Sequence, residues 1–198
     1  MANELFDELA KRYDSDKQIF LASIIQKEVE AELEESQDKT FLDYGSGTGL
    51  VSLDLASYVD ELYLVDSSKE MTAITANKIQ TNQIKNASAL CRDLIKEDLT
   101  FKVDIILVSL VLLHIPDTDF VLKQLYKHLN PKGKLIIVDF DKNEKITDSR
   151  VHNGFDKQEL KEKMQTTGFV HVSSDTFYQG EKLFMKEDAS LCLTLGYK

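Results

Sequence analysis

The stretch Phe41-Leu-Asp-Tyr-Gly-Ser-Gly-Thr-Gly-Leu50 decides the fold of this chain. Two apolar residues are followed by an aspartate and then by three glycines at alternate positions, Gly45, Gly47 and Gly49. From the end of this stretch onward the apolar spacing is typical of a helix. A chain that turns sharply from strand to helix, against a bound ligand, needs residues without a Cβ atom. The helix N-terminus predicted behind the turn would offer free N–H groups to an anionic ligand group.

The spacing of the glycines separates two kinds of nucleotide site. The dinucleotide fingerprint G-x-G-x-x-G requires a third glycine at the position of Leu50, which disfavours a nicotinamide-dependent oxidoreductase. G-x-G-x-G after a strand, with Asp43 two residues before the first glycine, resembles motif I of the class I S-adenosylmethionine-dependent methyltransferases. On the glycines alone, a tight turn required only for steric reasons is the alternative.

Composition limits the classes of partner. A chain of 198 residues with 42% apolar and 29% charged residues is typical of one soluble globular domain. The formal net charge is −10, and the only arginines are Arg12, Arg92 and Arg150, which form no basic stripe. Nucleic acids, anionic membrane surfaces and polyanionic substrates are therefore disfavoured as partners. The oligomeric state stays open.

Cysteine usage and hydropathy indicate a cytoplasmic protein. Cys91 and Cys192 are far apart in the sequence and, like the histidines, show no metal-ligand spacing, so we expect reduced thiols and no metal. The acidic N-terminus lacks a signal-peptide pattern. No apolar run approaches the roughly 20 residues that span a bilayer.

Two helices are predicted before the first strand. The first has one apolar face, made by Leu5, Phe6, Leu9, Ala10 and Tyr13. The second begins at a capping box, Ser15 with Gln18, and continues through Leu33. We expect residues 1–38 to form an N-terminal helical lid on a core of residues 39–198, within a single domain.

From residue 40 the pattern alternates between strands and helices. Strands are predicted at 40–44, 61–65, 87–91, 103–109 and 134–140, mostly as continuous apolar runs typical of a buried parallel sheet. Two later strands, 169–178 and 190–197, are close enough to pair in antiparallel fashion. The pattern predicts a doubly wound α/β sheet, with five βα units. Resemblance to the methyltransferases implies a Rossmann-like seven-stranded sheet of order 3-2-1-4-5-7-6 with an antiparallel last strand.

Capping residues predict where the later helices begin and end. Ser67 with Glu70 predicts one helix start, and a second helix is expected at 117–129, followed by a turn at 130–133. Asp156 and Gly168 bound a final helix at 157–167.

Carboxylates end two successive strands. Asp66 follows the second strand about 20 residues after the glycines, where nucleotide-binding folds place the acid that accepts ribose hydroxyls. A helix cap is the alternative role for Asp66, but Ser67 is expected to be that cap. Asp93, after the third strand, matches the acid that receives the adenine amino group in the methyltransferase family. An ordinary loop aspartate is the alternative there.

Two further segments resemble the same family. Ser109-Leu-Val-Leu-Leu-His114-Ile-Pro-Asp117 is similar to motif IV in its small-molecule form, and it lacks the Asp/Asn-Pro-Pro-aromatic sequence of base-modifying enzymes. Ala10-Lys-Arg-Tyr13-Asp14 resembles the Ala-x-x-Tyr-Asp that commonly precedes motif I. Tyr13 either closes over the methionine end of the cofactor or completes the apolar face of its helix.

The resemblance implies S-adenosylmethionine as cofactor and S-adenosylhomocysteine as product. The residues expected at the cofactor are those in and around the motifs: Asp43, Gly45, Ser46, Gly47, Thr48, Gly49, Asp66, Ser67, Met71, Arg92, Asp93, Leu94, Ser109, Leu110 and Tyr13.

Methyl transfer to a small-molecule acceptor, by in-line displacement, is the function expected. An acceptor that loses a proton needs a base, for which His114 is the first candidate and His152 the second. The alternatives are a helix-entry residue bonded to backbone for His114 and an exposed loop residue for His152. His128 and His171 are expected to be structural. A catalytically silent cofactor-binding sensor or scaffold is the alternative function, and the acceptor and the atom methylated stay open.

Overall fold

A seven-stranded sheet forms the centre of the computed structural model, which describes residue 10 and residues 13–94, 96–148 and 151–198. The strands are β1 (Thr40–Tyr44), β2 (Glu61–Asp66), β3 (Ala87–Cys91), β4 (Val103–Ser109), β5 (Leu129–Phe140), β6 (Val170–Phe184) and β7 (Glu187–Tyr197). Their order is β3-β2-β1-β4-β5-β7-β6. β1 to β5 are parallel, and β7 pairs antiparallel with both β5 and β6. The fold class and the strand order predicted above are confirmed.

The central strands are apolar on both faces because each face is covered. Phe41 and Leu107 belong to one hydrophobic cluster, whereas their neighbours Leu42 and Ile106 belong to the other. Successive strand residues point to opposite faces, so a strand buried on both sides reads as a continuous apolar run. β1 lies between β2 and β4, which brings the carboxyl ends of these three strands to one edge of the sheet.

Four α-helices lie among the described residues: α1 (Asp16–Ala31), α2 (Lys69–Thr81), α3 (Thr118–His128) and α4 (Lys157–Thr167). Ser15 caps α1, and Asp156 and Gly168 bound α4, as predicted. In this described part of the chain no helix is long and apolar enough to cross a membrane. The predicted first helix lies almost wholly outside the described residues, so the 1–38 lid and the single-domain assignment stay predictions.

The cap of α2 was predicted one residue too early. Ser68, and not Ser67, accepts the N–H of Met71, at 3.1 Å. The carboxylate of Asp66 accepts the N–H of Ser68 at 2.8 Å, and this turn delays the helix by one residue. Ser67 is therefore not the cap of this helix, and neither is Asp66.

The helices after β1 and β3 were also predicted wrongly. Instead of a helix from Leu50, only a short 3-10 helix forms, at Leu53–Tyr58. Gly45, Gly47 and Gly49 all have positive φ angles, so no helical turn begins until the glycines are passed. Between β3 and β4, residues 92–94 and 96–102 contain no helix, so the prediction of five βα units was too high. Since the helix that follows the glycine turn is this 3-10 helix, the α-helix N-terminus predicted behind the turn is not found among the described residues.

β5 begins earlier than predicted. It starts at Leu129, and the residues expected as a turn, 130–133, fall within its bounds. Lys132 has φ +66°, and the register with β4 shifts between Val103 and Ile105. The turn residues bend the beginning of the strand without ending it.

Candidate functional site

One cavity of about 270 Å³ opens at the carboxyl ends of β1, β2 and β4, where open α/β sheets bind ligands. Most of the residues predicted at the cofactor or as the base line it: Tyr13, Gly45, Gly47, Asp66, Ser67, Met71, Arg92, Asp93, Ser109, Leu110 and His114. Sequence reasoning missed four others: Tyr44, Val111, Ile115 and Pro116. The cavity therefore unites residues that are up to about one hundred positions apart in the chain.

We call this cavity, at the carboxyl ends of the strands, the main cavity. The glycine turn forms one of its walls. Gly45 has φ +75°, and a Cβ atom there would lie 2.4 Å from Cγ2 of Val111. Gly47 has φ +54° and faces Tyr13, whose Cε1 would be 3.6 Å from an added Cβ. Gly49 faces Leu53 instead, and a Cβ atom added to it would lie 2.8 Å from the Leu53 Cγ, so this third glycine serves packing and does not line the main cavity.

Asp66 ties the glycine turn to β2. Its Oδ2 accepts the N–H of Gly47 at 2.9 Å, while Oδ1 accepts the N–H of Ser68. Two side chains of α2 hold the turn from behind: the Thr75 hydroxyl donates to the Gly47 carbonyl, and the Lys78 ammonium donates to the Thr48 carbonyl, both at 2.8 Å. The turn is therefore fixed by both β2 and the helix that follows it.

Asp43 lies beneath the turn and does not line the main cavity. It is 2% exposed, and the Ser52 hydroxyl donates to its Oδ2. Burial raises its pKa to about 7, an effect that the Ser52 bond opposes and the charge of Asp66 reinforces. With Ser46, Asp43 lines a smaller cavity of about 50 Å³ beside α1. Thr48 donates its hydroxyl to Asp14 and also lies outside the main cavity.

At the end of β3, Asp93 lines the main cavity and is paired with Lys96, whose Nζ is 2.6 Å from Oδ2. The neighbouring Leu94 is 3% exposed and packs into the hydrophobic core, so it does not reach the cavity. Arg92 lines the cavity with an exposed side chain, whose Nε is 3.6 Å from Glu97.

Ser109 and Leu110 form the opposite wall at the end of β4. The buried Ser109 hydroxyl has no hydrogen-bond partner among the described residues. A buried hydroxyl without a partner costs free energy, so this atom is a natural contact for a polar ligand group. Leu110 has φ +54°, unusual for a residue with a branched side chain, and its N–H donates to the Val138 carbonyl at 2.8 Å.

We call residues 110–116 the wall segment, because Leu110, Val111, His114, Ile115 and Pro116 all line the main cavity. It contains a 3-10 helix, Leu112–His114, whose two leucines point into the core. His114 lies at the rim of the main cavity and is exposed to solvent over part of its surface. The protein around its ring shields it from part of the solvent, which lowers its pKa below the usual 6.5.

His152 lies outside the main cavity. One ring nitrogen, Nε2, is 2.9 Å from the Ile115 carbonyl, to which it must donate, and the backbone N–H of His152 donates to the Leu113 carbonyl at 2.8 Å. The residue lines a separate polar cavity of about 500 Å³ between the wall segment and α4. His152 therefore contacts the backbone of the segment that carries His114.

Asp139 is a residue of this region that sequence reasoning missed. It is the penultimate residue of β5, is 3% exposed, and accepts the N–H of Leu113 at 3.2 Å and that of Phe140 at 2.9 Å. Burial raises its pKa to about 7, against the effect of these bonds and of a bond from Leu112. The available signal was one carboxylate within the apolar run 135–140.

The remaining histidines and the thiols lie away from the main cavity. His128 is 3% exposed on α3, and His171 is exposed on β6. Cys91 and Cys192 are free thiols. Over the described ranges, no group of three His, Cys, Asp or Glu side chains is arranged to hold a metal ion.

Comparison with known proteins agrees with this geometry. The methyltransferase domain family matches residues 35–185. A sterol 4-C-methyltransferase of Caenorhabditis elegans is 33% identical over 125 residues, which are 61% of this chain and 37% of that protein. The chain thus spans well under half the length of this curated relative.

Solved structures share the fold. A SAM-dependent methyltransferase from Aquifex aeolicus superimposes with a TM-score of 0.72 at 18% identity, over 96% of this chain and 97% of its own. Phosphoethanolamine N-methyltransferase 2 of Haemonchus contortus, solved with S-adenosyl-L-methionine, gives 0.72 at 16% identity, over 98% of this chain and 60% of its own. The family match covers most of the chain, and the motif order and strand order agree with it. The chain therefore belongs to the class I S-adenosylmethionine-dependent methyltransferase family.

Proposed function

We propose that this protein transfers a methyl group from S-adenosylmethionine to a small-molecule acceptor. The observation that carries the proposal is the main cavity, which gathers the glycine turn, Asp66, Asp93 and Ser109 at adjoining strand ends. Each of these groups suits a different part of one nucleoside cofactor.

The residues present fit the cofactor chemically. An ionised carboxylate has about four lone-pair sites, so Asp66 can hold two backbone N–H groups and still accept ribose hydroxyls. Asp93, on the neighbouring strand, would accept the adenine amino group. Ser109 offers a buried hydroxyl toward the methionine end, and the glycine turn allows close approach of its backbone.

The protein's contribution to the reaction is alignment. When bound, the cofactor supplies a methyl group on a sulfonium, which needs no covalent help from the enzyme. Holding donor and acceptor in a near-attack geometry contributes roughly 7–11 kcal/mol to such reactions. The wall segment and the glycine turn both line the main cavity and would hold that geometry while excluding water.

His114 would remove the proton of an acceptor that must lose one. It stands at the rim of the main cavity, and its lowered pKa keeps the ring neutral, and so able to accept a proton, at neutral pH. Because His152 is bonded to the Ile115 carbonyl outside this cavity, the geometry favours His114 over His152 as the base.

Charge favours an acceptor without a phosphate. Among the described residues that line the main cavity, Arg92 and His114 are the cationic or titratable bases, and the same lining contains the carboxylates of Asp66 and Asp93. A phosphorylated acceptor such as the one named for the Haemonchus neighbour would find little neutralising charge here. A nucleic acid would meet a chain of net charge −10.

The test is a metabolite screen with the purified protein and cofactor carrying an isotopically labelled methyl group. Label that appears in an uncharged small molecule, together with S-adenosylhomocysteine, supports the proposal. Label found only in nucleic acid or protein, when these are added, would refute the acceptor class. Tight cofactor binding without turnover across the screen would favour the silent sensor or scaffold.

A further inference from the structure

The wall segment is held from two sides by groups that do not themselves line the main cavity. From the sheet, the buried carboxylate of Asp139 accepts the N–H of Leu113, and the N–H of Leu112 also contributes. From outside, His152 uses both its backbone N–H, on the Leu113 carbonyl, and its ring, on the Ile115 carbonyl. Backbone N–H and carbonyl groups of the wall segment are thus bonded by two residues, Asp139 on β5 and His152 in the chain between β5 and α4.

The described residues on either side of His152 are held by further contacts. Its two ends are joined by a bridge between Asp141 and Phe155, and the Asn143 N–H donates to the Asn153 carbonyl at 2.7 Å. Gly154, at φ +95°, lies so close to the chain that an added Cβ would be 2.3 Å from the Asp141 carbonyl oxygen. His152 also packs on Phe155, with ring centroids 5.4 Å apart. These contacts hold the His152 ring in place in addition to its bond to the Ile115 carbonyl.

The segment needs such support because its backbone is strained where it begins. Leu110 adopts φ +54°, a left-handed conformation that costs a residue with a Cβ atom roughly 1–2 kcal/mol. Its 3-10 helix is one short turn, which contributes little stability of its own. The buried side chains of Leu112 and Leu113 anchor the segment in the core, and the bonds from Asp139 and His152 add to this anchoring at the backbone.

We infer that Asp139 and His152 are positioning residues, which hold the wall segment against the glycine turn and so set the width of the cofactor cavity and the place of His114. Neither residue lines the main cavity. The inference rests on the cofactor assignment but not on the identity of the acceptor.

Two substitutions separate the donor of His152 from its ring. His152→Phe keeps an aromatic ring on Phe155 but removes the donor to Ile115, whereas His152→Gln keeps a donor and removes the ring. Asp139→Asn keeps the shape but presents an N–H to one of the backbone N–H groups that the carboxylate accepts. His171→Phe and Asp175→Asn are matched controls, since both residues are exposed on the edge strand β6.

The measurement is the S-adenosylhomocysteine dissociation constant by calorimetry, at a temperature where circular dichroism shows each variant folded. We expect His152→Phe and Asp139→Asn to weaken binding about tenfold, the factor that one hydrogen bond of about 1.4 kcal/mol provides. His152→Gln and both controls should stay within about threefold of the wild type. If His152→Phe and Asp139→Asn lower only the thermal midpoint and leave the constant unchanged, the bonds serve the fold and the inference is wrong.

A second readout reports on His114 itself. In an NMR titration, the His114 ring should titrate below pH 6.5 in the wild type and closer to 6.5 in His152→Phe, because a loosened segment admits water to the ring. An unmoved His114 midpoint together with an unmoved dissociation constant would overturn the inference. A wild-type protein that does not bind S-adenosylhomocysteine would instead overturn the cofactor site assignment.

Discussion

Val111 lies directly over Gly45, so close that a Cβ atom on residue 45 would be 2.4 Å from Cγ2 of Val111. The first glycine of the turn and the wall segment are therefore in direct contact beside the main cavity. A turn that required glycine only for its φ angle would not need this match. Two features therefore require glycine at position 45: its positive φ angle and the close approach of Val111.

Gly45→Ala should destabilise the protein by about 2–4 kcal/mol, from the left-handed backbone and from overpacking on Val111. Gly47→Ala should cost only about 1–2 kcal/mol, because its nearest neighbour, Tyr13, would be at an ordinary contact distance of 3.6 Å. Urea denaturation gives both values. In a Val111→Ala background the cost of Gly45→Ala should fall toward that of Gly47→Ala; an undiminished cost would show that Val111 is not the obstacle.

Asp66→Ala should weaken S-adenosylmethionine binding by orders of magnitude, since the ribose hydroxyls lose their acceptor. The structure adds that the N–H groups of Gly47 and Ser68 also lose a partner, so unfolding free energy should fall by about 1–3 kcal/mol. Calorimetry and urea denaturation measure the two effects. Affinity that stays unchanged while stability falls would remove Asp66 from the ribose site and leave it a support of the turn.

His114→Gln should lower turnover at least tenfold with little change in cofactor affinity, once an acceptor is known. In the wild type, turnover should rise with pH through a midpoint below 6.5 and then level off, because the base must be neutral and its pKa is lowered. Rate measurements from pH 5 to 8 test this. The same pH profile in His114→Gln would assign the ionisation to another group.

Asp43 and Asp139 should make the protein less stable as pH rises from about 4 to about 7. Both pKa values are raised to about 7 from 3.8, so in this range the folded state holds protons that the unfolded state has lost. Each difference corresponds to at most about 4 kcal/mol. Between pH 5 and pH 8, the wild type should therefore lose more unfolding free energy than Asp139→Asn does. Equal losses would show that Asp139 is ionised throughout.

The sequence predicted the elements whose signals are local. β1, β3 and β4 have the predicted bounds, and the caps at Ser15 and Asp156 are confirmed, because apolar runs and capping side chains act over a few residues. The helix expected from Leu50 failed because three positive φ angles outweigh apolar spacing. The predicted cap at Ser67 was wrong because the Asp66 carboxylate accepts the N–H of Ser68, and this turn delays the start of the helix by one residue.

The sequence predicted that residues at several strand ends lie together, and in the structure they line one cavity. Asp66 and Ser109 are the last residues of their strands, Asp93 lies two residues after its strand, and parallel strands bring their ends together. Val111 and Asp139 also lie near strand ends, but their roles depend on contacts between β1, β4 and β5 that no spacing reveals. Leu94, expected at the cofactor, instead fills the core because its side chain turns away from the edge.

The bonds from Thr75 and Lys78 to the carbonyls of the glycine turn make α2 part of the same mechanical unit as the cavity. Ligand that steadies the turn should therefore also slow amide hydrogen exchange in α2, up to three helical turns away from Asp66. Amide exchange in α2 would then show whether the cavity is occupied, although most of the helix does not contact the bound ligand. A label on its solvent-exposed face would sense the cofactor from the back of the site.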